Sequence, residues 1–134
     1  MAKKHEKYLG VPFKHLGRDM SGLDCYGLPL MYYKDILGVD LKDWWYEQDW
    51  SKKGKNYFLE RYEGENFERV DSPQKHDIVL FKMDIKSEIP NHAGIVITPP
   101  HVVLSAERSG VTYIDLRNNV FKRRVYGFYR LCQN

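Results

Sequence analysis

The sequence predicts an α+β domain in which an N-terminal helix packs on an antiparallel β-sheet. Three observations carry that reading. Apolar residues recur at helical spacing between about Leu23 and Leu37, at Leu23, Leu28, Met31, Tyr32 and Ile36. After Ser72-Pro73 the period changes to short β-branched or aromatic runs. Turn residues (Pro90-Asn91, Pro99-Pro100 and Ser109-Gly110) separate those runs closely, so helix comes first and neighbouring strands follow. At 134 residues, with no internal repeat and no low-complexity linker, the chain suits one domain spanning 1–134.

The elements follow in order. Residues 10–24 contain Gly10, Pro12, Gly17, Ser21 and Gly22 and read as a loop. The first helix must begin near Asp24 or Cys25, because Pro29 is tolerated only around a first turn. Gly38 fits its C-terminal cap. Residues 40–72 mix aromatic and charged side chains, and read as an insertion or lid with one short helix near Tyr57–Glu63 and loops elsewhere. The predicted strands are Asp77–Met83, Ala93–Thr98, Val102–Ala106, Val111–Asp115 and Val125–Leu131.

Composition excludes several function classes. The net charge of +3 is too small an excess to argue for nucleic acid or an anionic membrane surface. The charged start Met-Ala-Lys-Lys-His-Glu-Lys is followed by no apolar run. The expectation is therefore no signal peptide, no membrane insertion and synthesis in a cytoplasm. In that compartment Cys25 and Cys132 are not expected to pair.

Cys25 is the first candidate for chemistry. A helix N-terminus and a nearby imidazole activate a thiol, and Gly22 and Gly27 would let a substrate backbone approach. The competing reading is a buried structural cysteine. His92 stands where a loop enters the apolar run Ala93-Gly94-Ile95-Val96, a rigid place for a general base. A surface loop-tip histidine is the alternative there. His15, His76 and His101 read as solvated, and His5 as part of a terminus. Cys-x-x-Cys and His-Glu-x-x-His motifs are absent from the sequence, as is a glycine-rich phosphate loop, so neither a metal nor a cofactor is expected.

The order of these fragments resembles the NlpC-type papain-like cysteine peptidases. Tyr8-Leu9-Gly10-Val11-Pro12-Phe13, Gly17-Arg18-Asp19 and Gly22-Leu23-Asp24-Cys25-Tyr26-Gly27-Leu28 are similar to the family's nucleophile segment. His76-Asp77-Ile78-Val79-Leu80-Phe81 and Asn91-His92-Ala93-Gly94-Ile95 resemble its strand pair, and Val125-Tyr126-Gly127-Phe128-Tyr129-Arg130 its closing strand. The resemblance runs from about residue 8 to 131. Tyr26 after the cysteine, the helix end Ile36-Leu37-Gly38-Val39 and the 67 positions from Cys25 to His92 resemble the subgroup in tail-tip proteins of long-tailed bacteriophages.

The resemblance implies a papain-like fold and a thiol hydrolase of bacterial peptidoglycan stem peptides, cutting after γ-D-glutamate. Its partners would be the stem peptide and other phage tail-tip proteins. Its place would be the virion tail tip, with action at the host cell wall. Cys25 would be the nucleophile and His92 the base. Asp24 matches the position that contacts the substrate's free amino group, and is also a candidate helix cap. Tyr26 and Phe13 fall among the substrate-contacting positions, Phe13 standing where many members carry Tyr. His76 replaces a common Gly. The residue that orients the base falls about a dozen positions past it, at Leu104, so Ser105 beside it and His101 before it are the polar candidates. The rival expectation is a structural tail component that keeps the fold with weak or no catalysis.

Overall fold

The computed structural model describes residues 4–48, 50–64 and 66–132. The charged start up to Lys3, the insertion's Asp49 and Glu65, and the last two residues lie outside the described residues. A 3-10 turn at Lys4–Tyr8 leads into a loop. That loop contains a two-strand hairpin, β1 (Arg18–Asp19) and β2 (Gly22–Leu23). Strands this short have no period to detect, and the sequence reads them as loop.

Helix α1 spans Gly27–Tyr32 and continues as a wider helical turn over Tyr33–Leu37. The predicted 23–37 helix is therefore real but starts later. Pro29 is its third residue, where no intrahelical N–H is needed. Gly38 closes it with φ 68°, the left-handed cap its sequence position predicts.

The insertion holds a 3-10 turn at Trp50–Lys53, helix α2 (Tyr57–Gly64) and strand β3 (Phe67–Val70). β3 corrects the expectation of loop there. Its Phe-Glu-Arg-Val sequence is half-buried at best and forms a sheet edge, so pairing with a distant partner, not local pattern, makes it a strand.

The remaining strands are β4 (Ile78–Phe81), β5 (His92–Val96), β6 (His101–Ala106), β7 (Gly110–Asp115) and β8 (Val125–Leu131), with a single helical turn α3 (Asn119–Lys122) before β8. All pairings are antiparallel, in the order β3-β8-β4-β5-β6-β7. Arg130 of β8 binds both carboxylate oxygens of buried Asp77, at 2.9 and 2.8 Å, and locks the start of β4 to the closing strand.

The sheet buries both faces. Ile78, Leu80, Ala93, Ile95, Val103 and Tyr129 pack under α1, α2 and the insertion's aromatic side chains. Val79, Phe81, Val96, Val102, Leu104 and Ile114 form a second layer on the far side. On the helix side Tyr26 meets Trp44, Phe58 and Tyr62 ring to ring, so the aromatic surplus of the sequence largely serves to seat the insertion. Trp45 is the exception, 71% exposed.

The approach of α1 to the preceding loop is close. A Cβ on Gly27 would fall 2.0 Å from the Gly17 carbonyl oxygen, a backbone atom that cannot swing aside. Gly27→Ala is expected to cost about 2 kcal/mol or more by overpacking. Gly38→Ala, in open space but left-handed, should cost about 1 kcal/mol. Chemical denaturation of the two variants measures both, and an unchanged midpoint for Gly27→Ala would contradict the packing described.

Candidate active site

The site starts with a buried carboxylate. Asp24 is 2% exposed and its two oxygens accept five hydrogen bonds. Oδ1 takes the N–H groups of Tyr26 (3.1 Å) and Gly27 (2.8 Å) and Nη1 of Arg18 (2.9 Å). Oδ2 takes the Leu16 N–H (2.8 Å) and the Tyr46 hydroxyl. The Asp24 carbonyl accepts the Leu28 N–H at 3.1 Å, so helical bonding begins there. Asp24 is thus a cap and a hub. Its lone pairs are spent within the protein, which leaves little for a substrate ammonium.

Cys25 stands in the turn between this cap and α1, half-buried. Cys25 and His92 line one cleft of about 510 Å³. Phe13 lines it as well, on the loop before β1.

Burial pushes the Cys25 thiol well above its ordinary value, and the Asp24 charge adds to this, while the Ala93 N–H, the Cys25 N–H and Arg18 pull the other way. Desolvation lowers His92 from 6.5 to about 4, opposed by Asp24. The thiol and the imidazole are therefore both neutral at rest.

The other sequence candidates are not gathered here. Tyr26 is buried in the aromatic core, and its hydroxyl donates to the Lys42 carbonyl at 2.6 Å. Ser105 is 0% exposed, and its hydroxyl donates to the Leu23 carbonyl at 2.6 Å. His101 lies 3.8 Å from Asp115 and faces a different cavity. Register explains both placements. Phe81 pairs with His92 and Gly94 with Leu104, so Leu104 shares the face of His92. Ser105 and His101, at odd positions of the same strand, face the opposite way. Apolar Leu104 therefore occupies the position expected of a base-orienting residue, within the second core layer.

The cleft also includes residues the sequence reading passed over. His15 reaches it with Nε2 3.1 Å from the Tyr46 carbonyl oxygen. The insertion contributes Tyr46, Trp50 and Lys52, and the strand ends contribute Asn91 and Glu107. Only the general expectation of a lid over 40–72 hinted at the first group. Among the described residues, no cluster of His, Cys, Asp and Glu is placed to hold a metal ion, and no helix is long and apolar enough to cross a membrane.

Residues 10–130 match the model of the NlpC/P60 family. The structure is similar to the NlpC/P60 domain of the peptidoglycan hydrolase SagA, with TM-score 0.67 and 16% identity over 96% of this chain and 93% of that one. It is also similar to an NlpC/P60 family protein from Bacillus cereus, with TM-score 0.73 and 20% identity over 96% of this chain and 38% of that one. Among curated proteins it is 29% identical over 81 residues to tail tip assembly protein K of Escherichia phage N15, covering 58% of this chain. The matched segment spans only 32% of that relative's length.

The depressed His92 fixes a sign that can be measured. Between pH 6.5 and about 4 the unfolded chain binds a proton that folded His92 refuses, so this residue's contribution to stability falls as pH drops through that window. His92→Gln is expected to flatten that part of the stability-against-pH curve relative to the native chain. Parallel curves would show that His92 is not held neutral.

Proposed function

The chain belongs to the NlpC/P60 family of cysteine peptidoglycan hydrolases, and we propose that it is itself a thiol hydrolase of peptidoglycan stem peptides, working from a phage tail tip. The bond proposed is the one between γ-D-glutamate and the following diamino acid, and its cleavage would help the tail cross the host wall. The observation that carries the reading is the shared cleft, which Cys25 and His92 line together with Phe13. The tail-tip setting rests on the similarity to phage protein K.

The neutral resting pair suits general-base catalysis. As Cys25 sulfur bonds to the scissile carbonyl carbon, its proton passes to His92. The Cys25 N–H at the start of α1 helps hold the developing oxyanion. His92 then gives the proton to the departing amine as the C–N bond breaks. Water, deprotonated by His92, attacks the thioester and releases the acid and the free thiol. Asp24 supports this by fixing the turn that carries the nucleophile. Phe13 and the side chains from the insertion form the cleft wall, where a peptide would lie.

One observation favours a slower enzyme, or a tail component that keeps the fold with little catalysis. Leu104 places an apolar side chain on the His92 face, where a polar group would orient the ring.

Muropeptide mass spectrometry after incubation with purified peptidoglycan tests the proposal. The native chain should release cut stems, and Cys25→Ser and His92→Ala should each lower the rate by about a thousandfold or more. Leu104→His or Leu104→Gln should raise it by about tenfold if an unoriented base limits the rate. Intact stems with the native chain and with both Leu104 variants, all folded by circular dichroism, would leave the structural reading.

A further inference from the structure

A second cavity, of about 700 Å³, lies at the other end of the strand that carries His92. His92 opens β5, while Ile97, one residue past its end, lines this cavity. The strand between separates the two by about 17 Å. Tyr32, Ile36, Ile97 and Tyr113 give apolar walls, and Lys4, Lys75, His5, His76 and His101 bring basic groups, against Glu6 in the lining and Asp115 3.8 Å from His101.

His76 is the telling residue. Its φ is 78°, a left-handed backbone that a bulky side chain adopts only at a cost and that glycine adopts freely. The surroundings hold it there. Its N–H donates to the Val96 carbonyl at 2.8 Å, and the Tyr33 hydroxyl donates to its carbonyl. The ring is fixed as well, with Nδ1 2.7 Å from the Tyr32 hydroxyl. A Tyr32 hydroxyl that donates to Nδ1 leaves the neutral ring's proton on Nε2. Desolvation, followed by the Lys75 charge, lowers the His76 pKa against the opposing Asp77 charge and favours the neutral ring. The ring thus joins the turn to α1 and also lines the cavity.

We infer that this cavity is a second binding site, separate from the Cys25–His92 cleft, for a small ligand that carries a phosphate or carboxylate on a compact apolar or sugar-like body. Lys75 and Lys4 supply the opposing charge, and His76 Nε2–H supplies a directed donor. The Tyr32, Ile36 and Ile97 wall takes the ligand's body.

The test is an NMR titration of the full chain with inorganic phosphate, glycerol phosphate and N-acetyl-D-glutamate. Saturable movement of the His76 ring signals is expected, with those of His92 unmoved. His76→Gly, followed on Tyr113 and His101, and Lys75→Met should each weaken binding by at least about fivefold. Glycine relieves the left-handed position, so a melting temperature at or above native shows that the variant is folded. Tighter binding of glycerol phosphate assigns the anion to a phosphate, and tighter binding of N-acetyl-D-glutamate to a carboxylate. Shifts that stay linear to about 50 mM of all three probes, in the range expected of unspecific contact, would overturn the site. So would an affinity unchanged in both variants, or equal movement of His92.

Discussion

The Asp24 carboxylate is the constraint on which the site depends. Burying an ionised carboxylate is costly unless its lone pairs and charge are met. Here they are met by donors from separate parts of the chain: the loop at Leu16 and Arg18, the start of α1 at Tyr26 and Gly27, and Tyr46 of the insertion. Each donor gains a partner, and the carboxylate gains a reason to stay buried. Cys25 lies between Asp24 and Tyr26, so its backbone is held from both sides. Tyr46 also accepts from Arg18 at 3.0 Å and lines the cleft, so one network seats the insertion and positions the thiol. A residue whose family role suggests substrate contact has become the knot that ties three segments together.

The sheet sets the remaining geometry through alternation. Its two faces are separate apolar layers, and moving one residue along a strand changes layer. Ala93 faces the helix side, in the core layer under α1. His92, its neighbour, shares a face with Phe81 and Leu104. Burial explains why the Cys25 thiol and the His92 ring both rest uncharged. A buried ion pair would have to repay two desolvations. The same strand pair ends, away from the cleft, at a basic cavity, so β5 and β6 frame two unlike chemical environments.

Much of the fold was legible in the sequence, and the reasons differ by element. β8 matched its predicted span of Val125–Leu131, and the core strands were found within a few residues, because alternation and turn residues are local signals. Pro29 and Gly38 located the first helix for the same reason. β3 was missed because an edge strand rich in charge has no pattern of its own. His5, read as part of a terminus, is only 6% exposed and hydrogen-bonded to Tyr113, a partner 108 positions away that no local window contains.

By itself the sequence determined the α+β class, the order of helix and strands, and the Cys25 and His92 candidates, since spacing, breakers and motif order are properties of the chain alone. Tertiary structure decided what those residues meet. It spent the Ser105 hydroxyl on Leu23, turned His101 to another cavity and set Leu104 on the His92 face, because strand register assigns each side chain its side of the sheet. It also filled the Asp24 oxygens from distant segments and brought Lys75 and His76 to a cavity with His101 and Tyr113. Such meetings depend on which chain segments become neighbours in space, and only the folded chain supplies that.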